Sequence, residues 1–198
     1  RARLLEFYNR HYIPANACLA VAGRFDSEGL RASLSSLFAG GPAAPVRARA
    51  AARVRGGVTH RVRRRFDTHV VQLGFGAPAI TDADAPTWDV LATAVAGGSA
   101  SPLVSTLRTL PGCLDVRADY DGEALGGLFV VDAHVAPGAG PRALQAASEV
   151  LATAAAGGLT RADMARARAG LAAERRFHRQ TADGRAHAAC YYREHFGD

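Results

Sequence analysis

The sequence predicts an α+β domain, an antiparallel sheet with helices packed on one face. Three observations carry this. Val71, Leu73 and Phe75 alternate with Gln72, Gly74 and Gly76, as in a half-buried strand. Leu114, Val116, Ala118 and Tyr120 alternate with Asp115, Arg117 and Asp119, and an apolar run from Leu128 to Val135 follows as a hairpin neighbour. The remaining apolar residues fall in stripes at helical spacing, closed by Gly or Pro.

Taken in order, Leu4, Leu5, Tyr8 and Tyr12 recur at helical spacing over residues 1–12, and Pro14 ends that helix. Residues 17–22 are apolar on both faces and are expected to form a buried strand punctuated by Gly23. Asp26 is placed as the N-cap of a second helix whose stripe is Leu30, Leu34, Leu37 and Phe38. Residues 39–57 are Ala, Pro, Gly and Arg without periodicity, the composition of a linker. A strand is expected over residues 60–66 and a second through Val71–Phe75. Asp84 and Pro86 start a helix carrying Trp88, Leu91 and Val95, closed by Gly97-Gly98. Ser101-Pro102 opens a short helix with Leu103 and Leu107 inside, and Pro111-Gly112 stops it. The following strand is expected to break at Asp121-Gly122. Pro141 begins a helix with Leu144, Ala147 and Leu151, ended by Gly157-Gly158. Thr160 and Asp163 have the spacing of a capping box for a long helix, and a last helix from about Thr181 carries Cys190 and Phe196.

With 198 residues, 48% of them hydrophobic and 21% charged, the chain can bury a sizeable core. No apolar run approaches the ~20 residues of a membrane-spanning helix. The net charge of +6 comes from arginine alone, since no Lys occurs, and with the abundance of Ala and Gly it fits a GC-rich coding bias. A solvated arginine-rich surface is the favoured reading of that charge; an arginine-rich anion-binding module is the alternative. Arg61, Arg63, Arg64 and Arg65 form the densest basic cluster, but no aromatic platform beyond Phe66 accompanies it, so specific nucleic-acid recognition is not expected. Cys18, Cys113 and Cys190 are odd in number and far apart, and buried inert thiols are the default for them.

A zinc-peptidase site needs two His one helical turn apart, so that both reach one ion, with a Glu beside them as base. The nearest approach is Tyr191-Tyr192-Arg193-Glu194-His195, an inverted motif with Tyr in place of its first His. Ser99, Ser101 and Ser105 lie in a glycine-rich hinge with no nucleophile elbow, and Ser101 reads as an N-cap. No catalytic residue and no metal ligand is therefore assigned.

In three places the chain resembles the pitrilysin/insulinase-type zinc metallopeptidases, the group that includes mitochondrial processing peptidase subunits. Leu5-Glu6-Phe7-Tyr8 through Tyr12-Ile13-Pro14-Ala15-Asn16 to Val21-Ala22-Gly23-Arg24-Phe25-Asp26 looks like the unit that closes one domain of that family. Residues 97–112 look like its glycine-hinge segment, and Leu159-Thr160 through Ala165-Arg166-Ala167 like its late helix. The resemblance implies one domain of the processing-peptidase, LuxS-like metallohydrolase fold. Residues 1–38 are then a helix–strand–helix unit closing a preceding homologous domain, 39–57 a linker, and 58–198 the C-terminal domain. Such proteins pair two homologous halves around a chamber, one half bearing zinc. The chain begins downstream of where the zinc motif is expected, so zinc is expected in the homologous active half and no cofactor here.

Arg108 matches an Arg of the family, and the Tyr expected seven residues later is Asp115. An ionised carboxylate there repels an oxyanion rather than stabilising it. The resemblance thus implies the inactive domain type, forming part of a peptide-binding chamber. Its chamber-facing residues are expected to be Arg108, Asp115, Gly97, Gly98, Ser99 and Ser101, with an Arg108–Asp115 ion pair as the purely structural alternative. The expected partners are a homologous peptidase half or subunit and a peptide substrate, with no membrane. A scaffold subunit of the same fold without peptide processing is the other reading. Cut from its domain, the unit 1–38 is expected to pack on its own chain or to swap into a neighbour as a homodimer; an unpaired, solvated strand would count against this.

Overall fold

The computed structural model describes residues 1–40, 56–62 and 65–197. Its helices and strands are α1 (Ala2–His11), α2 (Ser27–Leu37), β1 (His69–Ala77), α3 (Ala85–Ala96), α4 (Pro102–Leu107), β2 (Cys113–Glu123), β3 (Gly126–Val135), α5 (Gly140–Thr153), α6 (Arg161–Gln180) and α7 (Ala182–Phe196). The chain divides into two compact units, one of Arg1–Arg49 with Arg176–Asp198, the other of Ala50–Arg175.

The larger unit contains an antiparallel sheet of order β1-β3-β2. β3 is central, paired on both edges, and its Phe129, Val131, Ala133 and Val135 are all buried on the face that the helices cover. These residues meet Val95 of α3, Leu103, Val104 and Leu107 of α4, and Ala143 and Ala147 of α5 in one core. Small residues on α5 let that helix approach the sheet closely, while Trp88 fills the gap beside Phe129 with ring centroids 5.9 Å apart. Helices therefore cover the face to which Val116, Ala118 and Tyr120 of β2 also point. The α+β class and the layer order agree with the sequence reading.

The hairpin is longer than the sequence suggests. β2 runs through Asp121-Gly122 to Glu123, with only Ala124 and Leu125 between it and β3. Gly127 is required there: a Cβ on it would stand 2.5 Å from the Pro78 carbonyl oxygen and 2.8 Å from the Tyr120 ring. The Tyr120 hydroxyl donates to that same carbonyl at 2.8 Å, tying the hairpin to the end of β1. At the other end a bulge between Cys113 and Asp115 turns Leu114 out of the sheet's apolar row, leaving it 59% exposed.

α5 ends in a π-helical turn, Ala154–Gly158, closed by Gly157 at φ 87°. The capping box then starts α6: the Asp163 amide donates to Thr160 Oγ1 at 3.1 Å and the Thr160 amide donates back to Asp163 Oδ2 at 2.9 Å.

In the smaller unit α1, α2 and α7 form where expected. Asp26 caps α2 by accepting from the amides of Glu28 and Gly29 at 3.1 and 3.2 Å, and Thr181 caps α7 through the Gly184 amide at 3.0 Å. Two expected strands are absent among the described residues. Residues 17–22 pair with no strand, and Leu19 and Val21 are exposed. The stripe of α1 is likewise open, with Leu4 71% and Tyr12 69% exposed. Among the described residues the segment is thus unpaired and largely exposed, touched by Cys190 at Cys18, which counts against the expectation that it packs on its own chain. Residues 60–62 and 65–66 are irregular and exposed, because a run of like charges gives a strand nothing to bury. Arg63 and Arg64 lie outside the described residues, as does the expected linker 39–57 except at its ends.

Candidate functional site

The segment singled out by its glycines is a turn between two core helices. α3 ends at Gly97, whose amide donates to the Thr93 carbonyl at 2.7 Å, and a Cβ at Gly97 would collide with that carbonyl. Gly98 takes φ 110°, a conformation open to glycine. Ser99 and Ala100 are exposed at the crest. Ser101 is fully buried; its hydroxyl donates to the Gly98 carbonyl at 2.6 Å, so it locks the turn, and no backbone amide of α4 donates to it. The N-cap position is as expected, but the hydroxyl is used differently.

Leu103, Val104 and Leu107 anchor α4 in the core, which turns Arg108, its C-cap residue, to solvent. A tight turn follows, in which the Cys113 amide donates to the Leu110 carbonyl at 3.2 Å. Cys113 sits between the two expected charges. Burial and the Asp115 carboxylate push its thiol pKa up, and Arg108 opposes them. Arg108 and Asp115 form no ion pair with each other among the described residues, so the structural alternative for them is not realised. Asp115 is exposed, opposite His134 on the sheet face that no helix of this unit covers.

That open face holds a polar row that composition alone does not reveal. In register across the three strands stand Gln72, Asp132 and Arg117. Gln72 Nε2 donates to Asp132 Oδ1 at 2.8 Å, and Arg117 Nη2 donates to Oδ2 at 3.3 Å. Asp132 is 8% exposed although it points away from the apolar core, with Gln72 and Arg117 bonded to its two carboxylate oxygens. Arg117 also approaches Asp119 at 3.9 Å, and Val70 and Leu128 are exposed on the same face. The available signal was a carboxylate in the middle of the apolar run from Leu128 to Val135, flanked on the adjacent strand by an alternating Arg.

Among the described residues no three His, Cys, Asp or Glu side chains converge as a metal site. Tyr191, in the position a first His would take, packs its ring at a tilt against His195, centroids 4.8 Å apart, and offers it a phenol ring rather than a second imidazole. No helix among them is long and apolar enough to cross a membrane.

Comparison with known proteins places this arrangement. The pattern of the peptidase M16 inactive domain matches residues 1–171. An uncharacterised zinc protease of Mycobacterium leprae is 33% identical over 171 residues, which is 82% of this chain and 38% of that protein. A protease from Helicobacter pylori has the same fold, with a TM-score of 0.73 at 19% identity over 96% of this chain and 48% of that one. A chain of the Candida albicans complex III dimer also shares it, with a TM-score of 0.67 at 11% identity over 89% of this chain and 44% of its own. The chain thus spans less than half of each relative. The resemblance seen in residues 97–115 holds across the fold and most of the sequence: the chain belongs to the peptidase M16 inactive domain family.

Proposed function

We propose that this chain is a non-catalytic wall of a peptide-binding chamber, completed by a homologous half that holds the zinc. The observation that carries this reading is the sheet's uncovered face, which presents Asp115 and the Gln72–Asp132–Arg117 row in fixed positions on a rigid scaffold. A sheet face with ordered donors, a carboxylate and exposed apolar side chains such as Val70 and Leu128 offers a peptide both polar and apolar contacts. This reading assigns contacts with the partner half to Arg108 and to the exposed crest at Ser99, which Gly97, Gly98 and buried Ser101 hold. Asp115, standing where the family's Tyr is expected, supplies no neutral phenol to an oxyanion, so peptide hydrolysis belongs to the other half.

Residues 1–38 fit the same reading as the closing unit of the preceding homologous domain. Their extended segment 17–22 is apolar, unpaired and exposed, which is the condition of a strand separated from its sheet.

The test uses the chain alone and with the zinc-bearing half added as a separate polypeptide. Alone, it is expected to bind less than stoichiometric zinc and to hydrolyse a mixed peptide library no faster than buffer. Mixed with the zinc-bearing half, it should raise peptide cleavage, and Arg117→Ala or Arg108→Ala should reduce that gain several-fold. Stoichiometric zinc in the chain alone would refute the assignment. The scaffold reading, which the fold shared with a complex III chain favours, requires stable pairing with no change in cleavage.

A further inference from the structure

In the sequence Cys18 and Cys190 are 172 residues apart and share no motif, yet the fold brings them together within the smaller unit. Cys190 lies half-buried on α7, and Cys18 is exposed in the extended segment 17–22. The Cys190 thiol donates to the Cys18 carbonyl oxygen at 3.7 Å. The two thiols also act on each other. The Cys18 thiol is held above its ordinary pKa by partial desolvation, by a hydrogen bond with Cys190 and by that thiol's charge, with Glu194 adding and Arg193 opposing. A disulfide needs Cα atoms about 4.4–6.8 Å apart and a sulfur–sulfur bond of about 2.05 Å. The Cys190 thiol within reach of the Cys18 backbone makes the two side chains neighbours, the first condition for such a bond. Segment 17–22 is held by no sheet pairing in this structure, so it is the element free to adjust.

We propose that Cys18 and Cys190 form a reversible intramolecular disulfide, a redox-operated clip that fastens segment 17–22 to α7. The oxidant is a low-molecular-weight disulfide. The exposed Cys18, as its thiolate, attacks one sulfur of that disulfide; the oxidant's S–S bond breaks and one small thiolate leaves, taking up the proton that Cys18 lost. The Cys190 thiolate then attacks the Cys18 sulfur of the mixed disulfide and expels the second small thiolate, which takes the Cys190 proton. Two protein thiols are oxidised and one small disulfide is reduced to two thiols. In a reducing compartment the pair rests as thiols, and oxidising conditions close it. Cys113, half-buried on β2 in the other unit, is the internal control.

The test is to incubate the full chain with excess oxidised glutathione, alkylate under denaturing acid conditions, and map the peptides by mass spectrometry. The expected product is a monomer lighter by two hydrogens, with one peptide pair joined through Cys18 and Cys190 and alkylation left at Cys113 alone. Dithiothreitol should restore all three alkylations. Cys113→Ser should leave the link intact, and Cys190→Ser should stop the reaction at a glutathione adduct on Cys18. Three alkylated cysteines after oxidation, separate glutathione adducts on the native chain, a link to Cys113, or a bond between two chains would each overturn the proposal. Because the native chain alone decides the outcome, a variant that fails to fold does not leave the question open.

Discussion

Two aspartates respond to burial and partners in opposite ways, and their titrations should show it. Asp163 accepts from the Thr160 amide and hydroxyl and from Arg166, which lowers its pKa to about 2. Its folded value is below its unfolded one, so its contribution to stability is present above the ordinary carboxylate range. It is lost as pH falls from there towards 2. Asp89 lies 3.6 Å from Arg175, yet its pKa is raised: burial outweighs the guanidinium, and Glu174 adds to the burial. For Asp89 the sign reverses. The folded state holds its proton more tightly, so its contribution is greatest below the unfolded pKa and falls as pH rises through the folded one. Carboxyl chemical shifts followed by NMR should place Asp163 below, and Asp89 above, the ordinary value near 3.9. Asp163→Asn should flatten the acid limb of the stability profile, whereas Asp89→Asn should leave stability at neutral pH unchanged or slightly higher. An Asp163 that titrates at the ordinary value would contradict the capping geometry.

At the scale of elements, stability is concentrated in the short helix α4 and its neighbours. Leu103 is 0% exposed and touches a core built from both sheet and helices, so Leu103→Ala should cost about 3 kcal/mol in denaturant unfolding. Thr181→Ala removes one capping bond from the exposed start of α7 and should cost about 1 kcal/mol. Equal losses from the two changes would mean that the core is less tightly packed than these contacts imply. The same contrast explains what was legible in the sequence. α3, α4, α5 and the β2–β3 hairpin could be read because alternation, caps and apolar stripes all agreed with the packing they serve. The Thr160–Asp163 box was legible for the same reason. Residues 17–22 misled because an apolar run states a need for burial without naming what will bury it. Leu114 misled because one extra residue in a strand reverses the facing of a side chain. Asp132 was passed over because its role depends on Gln72 and Arg117, which meet it only through register. The Cys18–Cys190 approach is longer in range still and leaves no trace in spacing.

For the molecule as a whole, the uneven burial of its two units makes a prediction about dynamics. In the sheet unit, β3 is paired on both edges and covered by helices, so its amides open only with that unit's core. Segment 17–22 has no strand partner and sits among exposed apolar residues, and α1 leaves Leu4, Leu5, Phe7, Tyr8 and Tyr12 open. An apolar surface of this kind is typical of a face that another part of an assembly covers. If residues 1–38 close a preceding homologous domain, that domain provides the missing sheet edge. Hydrogen exchange on the reduced chain alone should then show fast exchange across 17–22 and α1 and slow exchange across β3. In a longer polypeptide that includes the preceding domain, 17–22 should slow by orders of magnitude while β3 changes little. Protection that rises equally in both segments would point to general tightening of the chain. No change at 17–22 would remove residues 1–38 from the preceding domain and leave them as a surface arm of this one.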